Sequence, residues 1–246
     1  MFRYQIKIEY DGTNFVGWQY QKNGKSIQGI LQKIFLQLLK KKVIVVGSGR
    51  TDSGVHAIEQ SAHIDLERKI SEKKKFLQSL NFYLRNYPIA ITDIKERNQN
   101  FHARHSAKKR TYKYVIINRL SPSVLKKNRA WHIRKKLDVK VMKKGAKILL
   151  GTHDFSTFRT SSCQAKTPIK TMEKISIKKN RNKITLKFVS KSFLQQQVRS
   201  MVGCIKYLGE GKWDMDTFKK SFKSKKRSLC APPAPPSGLY LESILY

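Results

Sequence analysis

The sequence predicts an α+β protein of two similar halves, joined near residue 105, each a small sheet backed by helices. Three observations carry this. The chain has 246 residues, 39% hydrophobic and 10% aromatic, enough for a real core in one large domain or two fused halves. Segments with the two-residue period of strands mix with segments of helical period, without the strict alternation of a doubly wound sheet. The second half repeats the element order of the first loosely, with no repeat in the sequence itself.

Residues 3–9 alternate polar and apolar, the mark of a half-buried strand, and Asp11-Gly12 turns the chain. Across residues 27–41, Ile27, Ile30, Leu31, Ile34, Phe35, Leu38 and Leu39 follow the spacing of a helix. Residues 43–46 form a β-branched run, read as a strand, and lead into a stretch too rich in glycine for a regular element. Residues 59–66 read as a strand with Ala62, Ile64 and Leu66 on one face. Residues 71–85 read as a helix capped by Ser71, and 89–95 as a strand. In the second half, 111–118 is a strong strand and 138–150 a helix closed by Gly151. Residues 151–171 read as a polar loop. Residues 175–178 and 183–190 read as a hairpin across Asn180 and Asn182. A helix over 193–208 ends at Gly209, and a shorter one covers 214–222. Residues 231–236, Ala-Pro-Pro-Ala-Pro-Pro, must be extended and rigid, and 239–245 closes as a strand.

Lys and Arg number 52 against 16 Asp and Glu, a formal net charge of +36. Such an imbalance points to a polyanion partner, nucleic acid first, and away from small cationic substrates. The competing reading is a lysine bias spread over the whole chain, since runs such as Lys73–Lys75 and Lys178–Arg181 occur in every region. No apolar run is long enough to cross a bilayer or placed to act as a signal peptide, so no membrane role and a cytoplasmic location are expected. Cys163, Cys204 and Cys230 are too few and too scattered for a disulfide framework or a zinc ribbon. His102-Ala103-Arg104-His105 holds the one close histidine pair and lacks a carboxylate or cysteine cluster, so no metal is expected. Neither a P-loop nor a dinucleotide fingerprint occurs, and no small-molecule cofactor is expected.

The stretch Gly47 to Ala57 is the most informative. It follows a β-branched run and places Asp52, beside Arg50, among three closely spaced glycines. A carboxylate on such a loop can serve as nucleophile or general base at an anomeric carbon; an Asp there can equally cap a turn. Around 101–114 aromatic and basic residues interleave. Strand alternation puts Tyr112 and Tyr114 on one face, either as a core pair or as a platform on which a base can stack. In the helix after Phe193, Arg199 falls near the edge of the apolar side, as a snorkelling surface residue or as a buried counter-charge.

Several stretches together resemble the tRNA pseudouridine synthase A family, in order over nearly the whole chain. They are Tyr10-Asp11-Gly12-Thr13-Asn14-Phe15-Val16-Gly17-Trp18-Gln19, Gly49-Arg50-Thr51-Asp52-Ser53-Gly54-Val55-His56-Ala57, and Phe101-His102-Ala103-Arg104 leading into Arg110-Thr111-Tyr112-Lys113-Tyr114. The segment from Ser192 to Gly203 and the tail from Ala231 through Leu241 agree as well. The resemblance implies an isomerase that converts uridine to pseudouridine at positions 38, 39 and 40 in the anticodon stem-loop of tRNA, without a cofactor. It implies a continuous mixed or antiparallel sheet backed by helices, a central RNA-binding cleft, and a homodimer whose tRNA spans both subunits. Residues 1–105 would carry the catalytic loop and residues 106–246 would complete the cleft. By that resemblance Asp52 is the catalytic carboxylate. Tyr112 stacks on the target uracil and is a candidate for proton transfer. Arg199 pairs with Asp52, Arg50 fills the space of the flipped nucleotide, and Leu239 lies against the site. His102 and Arg104 are expected among the substrate contacts. Gln195, Gln196 and Gln197 stand where the family often has an aromatic residue and a histidine. The rival expectation is a noncatalytic RNA-binding protein, which would have the charge but no use for Asp52, Tyr112 and Arg199 together.

Overall fold

The computed structural model describes residues 1–246. Strand β1 (Phe2–Tyr10) buries Tyr4, Ile6 and Ile8 completely, as its alternation requires. Helix α1 (Ile27–Leu39) begins at Ser26, whose hydroxyl accepts from the Gly29 amide. It buries Ile27, Ile30, Leu31, Ile34 and Phe35. The strand expected over 43–46 shrinks to β2 (Val46–Gly47). Glutamines of α1 explain the difference. Gln28 Nε2 donates to the Val45 carbonyl (2.9 Å), and the Val45 amide points at Gln32 Oε1 (3.5 Å), so this backbone bonds a helix instead of a sheet.

Strand β3 (His56–Leu66) starts earlier than expected, directly after the glycine-rich loop. Helix α2 (Lys73–Leu84) is not capped by Ser71. Glu72 occupies the cap position without a side-chain cap bond, and its carboxylate pairs with Lys75 (2.9 Å). Strands β4 (Ile89–Arg97), β5 (Lys109–Asn118) and the short β6 (Trp131–Ile133) follow. Asp138 caps α3 (Val139–Ile148), accepting from the Lys140 and Val141 amides. The stretch expected as a polar loop contains β7 (Gly151–Asp154) and runs into β8 (Ile169–Met172), which pair antiparallel. Met172 is the one buried side chain of the two strands, so there is no apolar period to read. The hairpin β9 (Lys174–Asn180) and β10 (Lys183–Ser190) is present as expected. Helix α4 (Gln197–Gly209) starts later than residue 193. Gln196 is left-handed (φ 59), and the Gln197 side chain folds back to accept from the Leu194 amide (2.8 Å). Helix α5 (Met215–Lys223) and strand β11 (Leu239–Leu245) complete the chain.

Each unit pairs strands both parallel and antiparallel, β7–β8 is a separate ribbon, and five α-helices accompany them, which is the expected α+β class. The chain divides into two compact units. One comprises Met1–Lys108 with Tyr240–Tyr246 and has the strand order β4-β1-β3-β11. Its β1 runs antiparallel to β3 and β4, and β11 lies parallel to β3 through Tyr240 opposite His56. The other comprises Lys109–Leu239, with β10 antiparallel to β5 and β9, and β6 parallel to β5. There α3 and α4 meet closely at Gly145, where a Cβ would come within 2.3 Å of Leu208.

Candidate active site

In the first unit the Asp52 loop is gripped by the segment that leads into α1. Thr51 is the fixed point. Its hydroxyl lies 2.8 Å from the Tyr10 hydroxyl, with both residues buried, and its carbonyl accepts from the Trp18 amide (3.1 Å). The Ser53 hydroxyl and the Gly54 amide both donate to the Phe15 carbonyl (3.1 and 3.3 Å). The Val55 amide closes a turn on the Asp52 carbonyl (3.2 Å). Two glycines permit this approach. A Cβ on Gly12 would lie 2.0 Å from the Val55 oxygen, and one on Gly17 would lie 2.6 Å from the Thr51 oxygen. Gly17 also adopts φ +114, which L side chains avoid. The two motifs quoted from the sequence are therefore one structure: the first is the cradle of the second. Asp52 is half-buried on this tied-down backbone, while Arg50 is exposed. A carboxylate held this way enters a reaction with little positional freedom left to lose.

His56 follows the loop on β3. Its Nδ1 lies 3.1 Å from both the Gly12 amide and the Asp11 carboxylate, and its ring stacks on Tyr240 (4.7 Å). His102 and Arg104 sit in a turn of the same unit. The His102 Nδ1 accepts from the Arg104 and His105 amides (3.1 and 3.3 Å), so this ring works as a turn cap, while the Arg104 side chain is exposed. His63 on β3 stands edge-on to His102 (4.8 Å) and accepts from the Ala103 amide (3.1 Å). Burial, aided by the charge of Arg3, pushes the His63 imidazole down to about 4.

In the second unit Tyr112 and Tyr114 share the buried face of β5, as alternation predicts. Phe193 meets the Tyr112 ring edge-on at 5.1 Å. The Tyr114 hydroxyl donates to the Pro235 carbonyl (2.8 Å), and its ring leaves no room for a Cβ on Gly238 (2.6 Å). Burial holds the Tyr114 hydroxyl well above the usual phenol value, and the charge of Arg199 pulls it the other way. Arg199 is half-buried on α4 and clamped by the proline-rich connector: its Nε donates to the Ala234 carbonyl (2.8 Å), and the Ala234 amide returns to the Arg199 carbonyl (3.0 Å). Leu239 is buried at the start of β11. Tyr114 and Arg199 are thus both tied to the connector, with Tyr112 on the same buried face of β5 as Tyr114. The Tyr10–Thr51 bond and the connector's grip on Arg199 are what sequence reasoning missed. The only available signal was that these segments occur together.

The tRNA pseudouridine synthase family profile matches residues 6–106 and 146–246. Over its full length the chain is 60% identical to the whole of a tRNA pseudouridine synthase A from Pelagibacter ubique. It is 42% identical to the whole of the protein of that name from Parvibaculum lavamentivorans. It is 43% identical to the one from Maricaulis maris, covering all of this chain and 98% of that protein.

Proposed function

The chain belongs to the tRNA pseudouridine synthase family, and from that premise we propose that it isomerises uridine to pseudouridine at positions 38, 39 and 40 in the anticodon stem-loop of tRNA. The reaction breaks the N1–C1′ bond, turns the uracil and rejoins it through C5, with no net gain or loss of atoms. Asp52 is the carboxylate that acts at C1′, by forming a bond or by stabilising positive charge there. Tyr112 is the ring against which the target uracil lies, and Arg199 is the cation on which catalysis draws. Arg50 fills the space of the flipped nucleotide, and Arg104, His102 and Leu239 make further substrate contacts. The observation that carries this reading is the cradle of Asp52. Gly12, Gly17, Tyr10 and Trp18 fix the backbone on either side of a single carboxylate, an arrangement a passive binding surface does not need.

Asp52→Asn tests it. The amide has nearly the size of the carboxylate, so the loop should survive, but it is a poor nucleophile and carries no charge. Tritium release from C5-labelled uridine in tRNA should drop to background. The tRNA affinity should stay within about tenfold, roughly 1.4 kcal/mol, and the melting temperature should hold. Full tritium release by Asp52→Asn would sink the assignment. We also propose that the protein works in the cytoplasm as a homodimer. A solution mass equal to the 28.6 kDa monomer would exclude the dimer.

A further inference from the structure

The connector that clamps Arg199 also brings two cysteines together. Cys204 lies on α4, and Cys230 directly precedes Ala231. Their sulfurs are 3.5 Å apart. Gly203, next to Cys204, lets the Pro232 carbonyl approach so closely that a Cβ there would lie 2.1 Å from its oxygen. A disulfide needs about 2.05 Å between sulfurs, so closure requires about 1.5 Å of approach, within reach of side-chain rotation and a small adjustment of the connector. The two thiols differ in the way an attacking and a resolving cysteine must. Cys204 is 1% exposed, whereas Cys230 is partly exposed. The guanidinium of Arg227 stands 3.5 Å from the Cys230 sulfur and is itself held by a hydrogen bond to the Ser200 hydroxyl (2.7 Å). The hydrogen bond from Cys204, helped by the Arg227 charge and opposed by burial, holds the Cys230 thiol below the usual thiol value. The Cys204 thiol is raised and keeps its proton. Cys163 is the comparison: burial raises its thiol, but hydrogen bonds from the Ala165 and Gln195 amides and from Arg159 hold it below the usual value too, so what it lacks is a second sulfur within reach.

We propose that Cys230 and Cys204 are an oxidisable dithiol, in which Cys230 takes an oxygen atom from a peroxide and Cys204 resolves it to a disulfide that fastens the connector to α4. In the first step the Cys230 thiolate attacks a peroxide oxygen. The O–O bond breaks, hydroxide leaves, and a sulfenic acid forms. In the second the Cys204 sulfur attacks the Cys230 sulfur. The S–O bond breaks, and the leaving hydroxide takes up the Cys204 proton as water. Two thiols are oxidised by two electrons, and one hydrogen peroxide becomes two waters. The thiol chemistry does not require the isomerisation, and its test uses no tRNA.

The experiment treats the full-length protein, at low concentration, with a modest excess of hydrogen peroxide. Free thiols are then alkylated and the peptides mapped by mass spectrometry. Two of the three thiols should be lost, in one peptide pair linking Cys204 to Cys230, and dithiothreitol should restore both. The oxidised protein should melt at a higher temperature, reversibly, because the connector is tied to the helix. Cys163→Ser should leave this behaviour unchanged. In Cys204→Ser, Cys230 should pass to sulfinic acid, which dithiothreitol does not reverse. Oxidation of Cys163 ahead of the pair, or Cys230 sulfinic acid accumulating in the unaltered protein, would overturn the proposal. So would a disulfide that leaves the melting temperature unmoved. The unaltered and Cys163→Ser proteins carry these readings even if Cys204→Ser fails to fold.

Discussion

Asp52 takes its position from residues far from it in sequence, and that makes the position testable without touching the carboxylate. Gly12→Ala sets a methyl against the Val55 carbonyl, a backbone atom that cannot rotate away, so the turn after Asp52 must shift. A displacement of about 1 Å at a reacting group can cost on the order of a hundredfold in rate. Turnover should therefore fall by at least about tenfold, while tRNA affinity, spread over many contacts, changes little. Equal losses in turnover and affinity would mean that Gly12 serves the fold generally. Tyr10→Phe removes the partner of the buried Thr51 hydroxyl and should lower stability by about 1–3 kcal/mol. Tyr10→Phe combined with Thr51→Val removes both polar partners and should recover part of that loss. Thermal melts of the single and double variants measure the difference, and strict additivity would show that the two hydroxyls do not interact.

Among the elements, the turn over residues 101–106 that docks on β3 carries a pH dependence. His63, facing Arg3, Asp65, His102 and the Ala103 amide, is held down to about 4, so the native state resists protonating it while the unfolded chain titrates near 6.5. Stability is then unaffected above pH 6.5 and is lost as the pH falls from there to 4, by at most about 3 kcal/mol. His102, also lowered by burial and by His105, adds in the same direction. Asp65, held low by its hydrogen bond with Arg3, loses its contribution only below its ordinary value of 3.8. His63→Asn keeps an acceptor for the Ala103 amide but cannot titrate, so its melting temperature should fall less between pH 7 and 4.5 than that of the unaltered protein. An equal fall would assign the sensitivity elsewhere. Elements with a strong period were legible: α1 from its apolar stripe, β5 from its alternation, the β9–β10 hairpin from its turn. Elements set by tertiary partners were not. Val43–Val45 has strand chemistry, but Gln28 and Gln32 claim its backbone; β7 and β8 lack an apolar face; and α4 starts late because Gln197 turns back on Leu194. In the candidate site, motif reading singled out Asp52, Tyr112 and Arg199. It could not show that one glycine-rich motif cradles the other, because that depends on a contact between backbone atoms.

At the scale of the whole molecule the net charge makes two predictions of opposite sign. If each of the 16 carboxylates neutralised one cation, 36 of the 52 Lys and Arg side chains would still lack an acidic partner. Pairs such as Lys7–Glu59 and Lys109–Glu173 show the acids already engaged in this way. Helix α2 opens with Lys73, Lys74 and Lys75 and has no acidic residue in its first turn. The unbound protein therefore repels itself, and salt that shortens the Debye length to about 10 Å at 0.1 M should relieve this. The melting temperature should rise between 50 and 200 mM salt. Binding to tRNA should respond the other way. Each phosphate contacted releases condensed counterions, and added salt opposes that release. For about six phosphate contacts the affinity should drop by about three decades over the same range. A tRNA titration and a thermal melt in the same buffers measure both. A steep binding slope with a rising melting temperature would mean that the charge is used at the RNA surface and tolerated by the fold. A flat binding slope would mean that the lysines are a compositional bias that the RNA does not meet, whatever the melting temperature does.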